Sequence, residues 1–132
     1  MIFIDSDVYL ALNLKEDTNK EKAIRLTQKL LTSEEKKITS WDVIDEVSTK
    51  LSYHFSRTIA ESFVRNIVRS DTNIRFIDEF LIQEVLALFL KQTSKNISMT
   101  DCANMVIAKS LGITTFFSFD HHYEQNGFTL LK

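Results

Sequence analysis

The chain has no proline and only two glycines, Gly112 and Gly127. No Pro- or Gly-rich linker therefore divides its 132 residues, and no internal repeat or low-complexity tract interrupts them. One domain spanning residues 1–132 is expected. Cysteine is almost absent: Cys102 stands alone, so no internal disulfide can form and nothing argues for secretion. The opening Met1-Ile2-Phe3-Ile4-Asp5 shows no basic segment followed by an apolar one, so no signal peptide is visible, and no apolar run approaches a membrane span. The expectation is a cytoplasmic protein with no membrane partner. Excess positive charge is lacking too. A net charge of −2 excludes a basic nucleic-acid coat protein, although carboxylates gathered into a site would leave a weakly basic remainder.

What is present is an ordinary globular composition, 44% hydrophobic and 26% charged, arranged in short alternating patterns. Met1–Ile4 is an apolar, partly β-branched run suited to a buried strand. Asp5, Ser6 and Asp7 then offer helix caps, and Val8–Leu12 continues as a short helix. Ala23, Leu26, Leu30 and Leu31 recur at helical spacing. Lys37–Thr39 reads as a second strand, with Thr39 and Ser40 able to cap the helix that buries Val43, Ile44, Val47 and Leu51. A further helix runs from about Thr58 to Val68, and Asn73–Ile77 reads as a third strand. Phe80–Leu90 is so apolar that a buried helix is expected. Ser98 opens another helix, apolar on most sides, for which Gly112 is a left-handed stop. Thr114–Phe119 and Thr129–Leu131 complete the strands. Strands alternating with helices predict an α/β fold with a mainly parallel sheet of four to five strands covered on both faces.

Four acidic residues stand out in this pattern: Asp5 after the first strand, Glu46 after the second, Asp101 near a helix start, and Asp120 after Thr114–Phe119. Charge at the end of an apolar strand is costly, and the carboxyl ends of the strands form the ligand crevice of an open α/β sheet. Carboxylates converging there repel one another, and a hard divalent cation is the usual remedy. Each residue also has a local explanation. Ser98-Met99-Thr100-Asp101 is a capping box, Asp5 can cap a helix, Asp120 can fix a turn, and Glu46 can be a solvated helix residue. Elsewhere the bland readings prevail. The adjacent His121 and His122 lack zinc-ligand spacing. Trp41 is better read as packing at a helix start than as a base-stacking surface. Arg65 and Arg69 share a solvated helix face, and Thr100 and Ser118 serve caps and turns.

The segments Ile2-Phe3-Ile4-Asp5-Ser6-Asp7-Val8, Glu46 in its helix, Ser98-Met99-Thr100-Asp101-Cys102-Ala103-Asn104, and Phe117-Ser118-Phe119-Asp120-His121-His122-Tyr123 before Gly127-Phe128 occur in an order that resembles the PIN-domain ribonucleases. Within that family the chain is similar to VapC-type toxins of toxin–antitoxin pairs. The resemblance covers nearly the whole chain. It implies a three-layer α/β/α sandwich, Mg²⁺ (with Mn²⁺ as substitute), and hydrolysis of RNA phosphodiester bonds. It also implies Asp5, Glu46, Asp101 and Asp120 as the catalytic set, with Asp5, Asp101 and Asp120 on the metal. Glu46 rather than Asp45 is chosen on that alignment. Two departures bear on the site. Asp7 stands where many relatives carry a small polar residue, which adds a carboxylate. His122 stands close to the place of a further acidic residue. The resemblance further implies a homodimer and a small antitoxin lying in a hydrophobic groove, for which Tyr9 and Leu12 are candidate lining residues, although core packing explains them equally well. Two rivals remain: a PIN-like binding module without chemistry, and a housekeeping nuclease.

Overall fold

The structure, a computed structural model, describes residues 1–132. Five strands form one sheet: β1 (Ile2–Ile4), β2 (Lys37–Ser40), β3 (Asn73–Arg75), β4 (Thr115–Phe117) and β5 (Thr129–Leu130). All neighbours are parallel, in the order β3-β2-β1-β4-β5. Parallel neighbours require crossovers, and the helices supply them. These are α1 (Ser6–Asn13), α2 (Lys20–Leu31), α3 (Trp41–His54), α4 (Arg57–Arg69), α5 (Ile82–Lys91), α6 (Met99–Ser110) and the single turn α7 (His122–Gln125). The expected α/β/α sandwich with a parallel sheet is what the chain forms.

The strand order places the functional edge. The chain steps outward from β1 through β2 to β3, then returns to lay β4 on the other side of β1. Ligand crevices in open α/β sheets lie at such a reversal, outside the carboxyl ends of the strands. Here that is the ground beyond Ile4 and Phe117, which are partners in register. The ladder continues past the strands, since the Asp5 amide donates to the Phe117 carbonyl at 3.1 Å. The Thr39 hydroxyl donates to the Ile4 carbonyl at 2.9 Å, which ties β2 into the same edge.

Central strands buried on both faces should read as continuous apolar runs, and Ile2, Phe3 and Ile4 do so. Phe3 packs on Phe116, and Phe116 also meets Tyr123 and Phe128. Helix α6 is buried on nearly every side, from Cys102 to Ala108, and Cys102 is core as expected. Both glycines adopt left-handed backbone, Gly112 at φ 67° after α6 and Gly127 at φ 88° before β5, where a side chain would strain the turn.

One expectation is overturned. The apolar segment Phe80–Leu90 is not buried: α5 starts at Ile82 and buries only Val85, while Phe80 is 80% and Leu90 83% exposed. Helix α5 packs chiefly on α6, and its width of apolar surface exceeds what that one contact covers.

Candidate active site

Asp5 is the N-cap of α1, and its Oδ1 accepts from the Ser6 amide at 2.7 Å. The residue is only 3% exposed, and its carboxylate is fully engaged. Oδ1 also accepts from Asn104 Nδ2 at 3.1 Å, while Oδ2 accepts from the Tyr123 hydroxyl at 2.9 Å and lies 3.3 Å from Ser118 Oγ. Burial, and then the charges of Asp7 and Asp101, hold its pKa well above the ordinary carboxylate range.

Asp7, two residues further and the second of α1, turns back to the same place. Its Oδ2 accepts from the Phe119 amide at 2.7 Å and from Ser118 Oγ at 2.9 Å, whereas its Oδ1 is buried with no partner. Burial pushes its pKa up to about 6. The additional carboxylate read at Asp7 therefore belongs to the cluster.

Asp101 completes the capping box that its sequence spells: the Ser98 amide donates to its Oδ2 at 2.7 Å, and its own amide donates to Ser98 Oγ at 3.0 Å. That leaves Oδ1 facing the Tyr123 hydroxyl at 3.5 Å. Burial, followed by the nearby charges of Asp120 and Glu46, raises its pKa. Capping and clustering are thus compatible roles for one carboxylate.

Asp120 Oδ1 accepts from the His122 amide at 2.8 Å and pairs with His122 Nδ1 at 2.6 Å; His122 Nε2 lies 3.1 Å from Ser94 Oγ. The two adjacent histidines have different surroundings. His121 is exposed beside Glu124, whereas His122 is half-buried against the acidic cluster.

Glu46 needs a positional correction. It lies in the second turn of α3, away from any strand end or helix start, because α3 begins already at Trp41. It is half-buried and paired with Lys50 one turn on, while Asp45 is exposed. Of the two, Glu46 is the one turned toward Asp101, whose pKa it raises.

Asn104 and Tyr123 escaped notice as members of this site. Asn104 is wholly buried; its Oδ1 accepts from Ser40 Oγ at 2.6 Å, and its Nδ2 lies 3.4 Å from the Tyr123 hydroxyl as well as bonding Asp5. A single amide inside the apolar run Cys102–Ala108 was the available signal, since a buried polar side chain needs partners. Tyr123 carried no such signal. Burial and the charges of Asp5 and Asp101 lift its phenol pKa well above its usual value, so it remains a neutral donor. Trp41 packs at a helix start, as read: it is the first residue of α3, 52% exposed, and stacks on Phe76 at 6.0 Å between centroids.

Chemically, the cluster suits a hard divalent cation. Its donors are carboxylate oxygens, three of the acids are raised in pKa by burial and mutual repulsion, and Asp7 Oδ1 is buried without a partner. In the present geometry no three acidic, imidazole or thiol side chains close into a single ligand set. Asp5 spends its acceptor positions on protein donors instead.

The PIN domain family model matches residues 2–128, and the chain belongs to that family. Among curated protein sequences, none matches the chain. Solved structures do. VapC20 of Mycobacterium tuberculosis, described as a toxin that cleaves the sarcin–ricin loop, superposes with a TM-score of 0.88 at 19% identity, covering 98% of this chain and 97% of its own. The FitAcB structure from Neisseria gonorrhoeae gives 0.74 at 14% identity over 100% and 97% of the two chains. VapBC2 of Rickettsia felis, solved on a DNA fragment from its promoter, gives 0.72 at 16% over 99% and 98%. At these identities the likeness is one of fold.

Proposed function

We propose that the protein is a divalent-metal-dependent endoribonuclease and the toxin of a toxin–antitoxin pair. The observation that carries the reading is the meeting of Asp5, Asp7, Asp101 and Asp120 at the β1/β4 reversal, with one buried carboxylate oxygen unpartnered. In a member of the PIN family, such a group of acids supports hydrolysis of a phosphodiester.

Asp5, Asp101 and Asp120 would hold Mg²⁺ or Mn²⁺, with Asp7 as a further oxygen donor and Glu46 completing the acidic rim. When bound, the cation supplies Lewis-acid polarisation of the phosphodiester and a water acidic enough to attack it. The chain's own residues do the rest. Asp5 is fixed by its cap, and Asp101 by its capping box, so neither has to be ordered when substrate arrives. Buried carboxylates draw the cation in by the same repulsion that raises their pKa values. His122 holds Asp120 by one oxygen and leaves the other free. No side chain in the cluster is an activated nucleophile, so water is the attacking group. RNA in single strands or loops is the expected substrate, because its backbone is accessible there.

The partners follow from the same reading. A cavity of about 410 Å³ between α1, α2 and α4, lined by Val8, Tyr9, Leu12, Leu30, Phe63 and Ile67, would receive apolar side chains of an antitoxin. The exposed apolar face of α5, with Phe80 beside it, would be the homodimer contact.

Two observations favour a second reading, a PIN-like binding module without chemistry. Asp120 Oδ1 is already occupied by His122, and no closed ligand set exists. Product analysis separates the two. Purified protein with Mn²⁺ should cut a structured RNA pool to linear phosphate ends with no 2′,3′-cyclic phosphate, since water attacks in place of the 2′-hydroxyl. Cyclic ends would overturn the water mechanism. A folded protein that neither cuts nor is stabilised by Mn²⁺ would favour the binding module.

A further inference from the structure

The proposed reaction makes no use of the Tyr123 hydroxyl, yet this neutral group reaches two of the carboxylates proposed to hold the cation, Asp5 Oδ2 at 2.9 Å and Asp101 Oδ1 at 3.5 Å. Its place is fixed from both ends. The ring is buried, stacked on Phe116 at 4.1 Å and 19°, and the residue lies within the short α7 turn, where its carbonyl accepts from the Phe128 amide at 3.1 Å. The hydroxyl lies against Asn104 Nδ2, and the orientation of that amide follows from a chain of donors. The Val43 amide donates to Ser40 Oγ at 3.1 Å, and Ser40 Oγ donates to Asn104 Oδ1 at 2.6 Å. The NH₂ of Asn104 is thereby turned toward Asp5 and Tyr123. From the N-cap of α3 to Asp5, every link has its donor and acceptor assigned.

We propose that Tyr123, seated by Asn104, is a positioning residue that holds the Asp5 carboxylate in the orientation needed to take up the cation. The inference rests on Asp5 being a metal ligand. It differs from a packing role in one respect: packing requires the ring, whereas positioning requires the oxygen. Groups that hydrogen-bond a metal ligand from behind orient it and tune its basicity, and losing one costs roughly 10–100-fold in metal affinity.

The test is Mn²⁺ binding to the full chain without RNA, with free Mn²⁺ counted by electron paramagnetic resonance. Parent protein, Tyr123→Phe, Asp5→Asn and the control Tyr53→Phe are compared, Tyr53 being 81% exposed. Tyr123→Phe keeps the ring stack and should stay folded, with a Kd for Mn²⁺ about tenfold or more weaker. Tyr53→Phe should match the parent. A Tyr123→Phe Kd within twofold of the parent, or tighter, overturns the positioning role while leaving the metal site standing. A parent that binds no Mn²⁺ overturns the metal reading and this inference with it.

Discussion

Replacing Asp7 by Asn should make the metal-free protein more stable at neutral pH, by an amount the structure sets. The Asp7 pKa stands at about 6 against an ordinary 3.8, chiefly because burial penalises its charge. The group binds its proton more tightly folded than unfolded, so the sign is opposite to that of a salt-bridged carboxylate. Full stability is present below about pH 3.8, is lost as pH rises through the folded pKa, and stays lost above it. Two pH units at about 1.4 kcal/mol each give about 3 kcal/mol lost at pH 8 and about 1 kcal/mol at pH 4.5. Asn keeps the shape and can still accept from the Phe119 amide and Ser118. The atom at the Oδ1 position is unpartnered either way, so it cancels in the comparison with protonated Asp7. Urea unfolding in EDTA at the two pH values reads this directly. Asp7→Asn should gain up to about 3 kcal/mol at pH 8 and about a third of that at pH 4.5. No gain at pH 8, or an equal gain at both, would refute the claim that Asp7 is held charged against burial.

Three further outcomes follow from the same geometry. Mn²⁺ should raise the melting temperature of the parent at pH 7.5 and do so much less at pH 5, because protons compete for carboxylates whose pKa values are raised; an equal shift at both would place the ion elsewhere. Ser98→Ala removes one half of the capping box and should cost about 1 kcal/mol in urea unfolding with EDTA present, so an unchanged midpoint would mean the box does not hold α6. Leu90→Glu, at an exposed position on α5, should change monomer stability by less than about 0.5 kcal/mol. It should also convert a dimer to a monomer in light scattering, and a dimer that persists would move the interface off α5.

The first strand was legible because it carries its own signal, whereas Lys37–Thr39 was read mainly from its place between helices. Ile2–Ile4 is a continuous apolar run, and a parallel sheet explains such runs directly. Asp5 and Asp101 were legible for a similar reason, since a cap is written in a few adjacent residues. The site's other half was harder. Asn104 and Tyr123 lie 99 and 118 residues from the Asp5 they touch, and no local pattern encodes a contact of that separation. Glu46 was chosen by its order in the chain; the cap read at Ser40 does start α3 at Trp41, which puts Glu46 in the second turn and away from the strand end. The misreading of Phe80–Leu90 has a different cause. Apolar content says that a helix will be covered, and it does not say whether the cover is the same chain or another one.

The central claim is that the carboxylates at the β1/β4 reversal cut RNA with a divalent cation. Its most direct test is cleavage of end-labelled structured RNA by the parent and by Asp101→Asn, each with Mn²⁺ and with EDTA. Asn can still accept from the Ser98 amide, so α6 should hold while the charge is gone. The account predicts cutting by the parent with Mn²⁺ only, and none by the folded variant. Cutting that survives in EDTA, or in Asp101→Asn at the parent's rate, would contradict it.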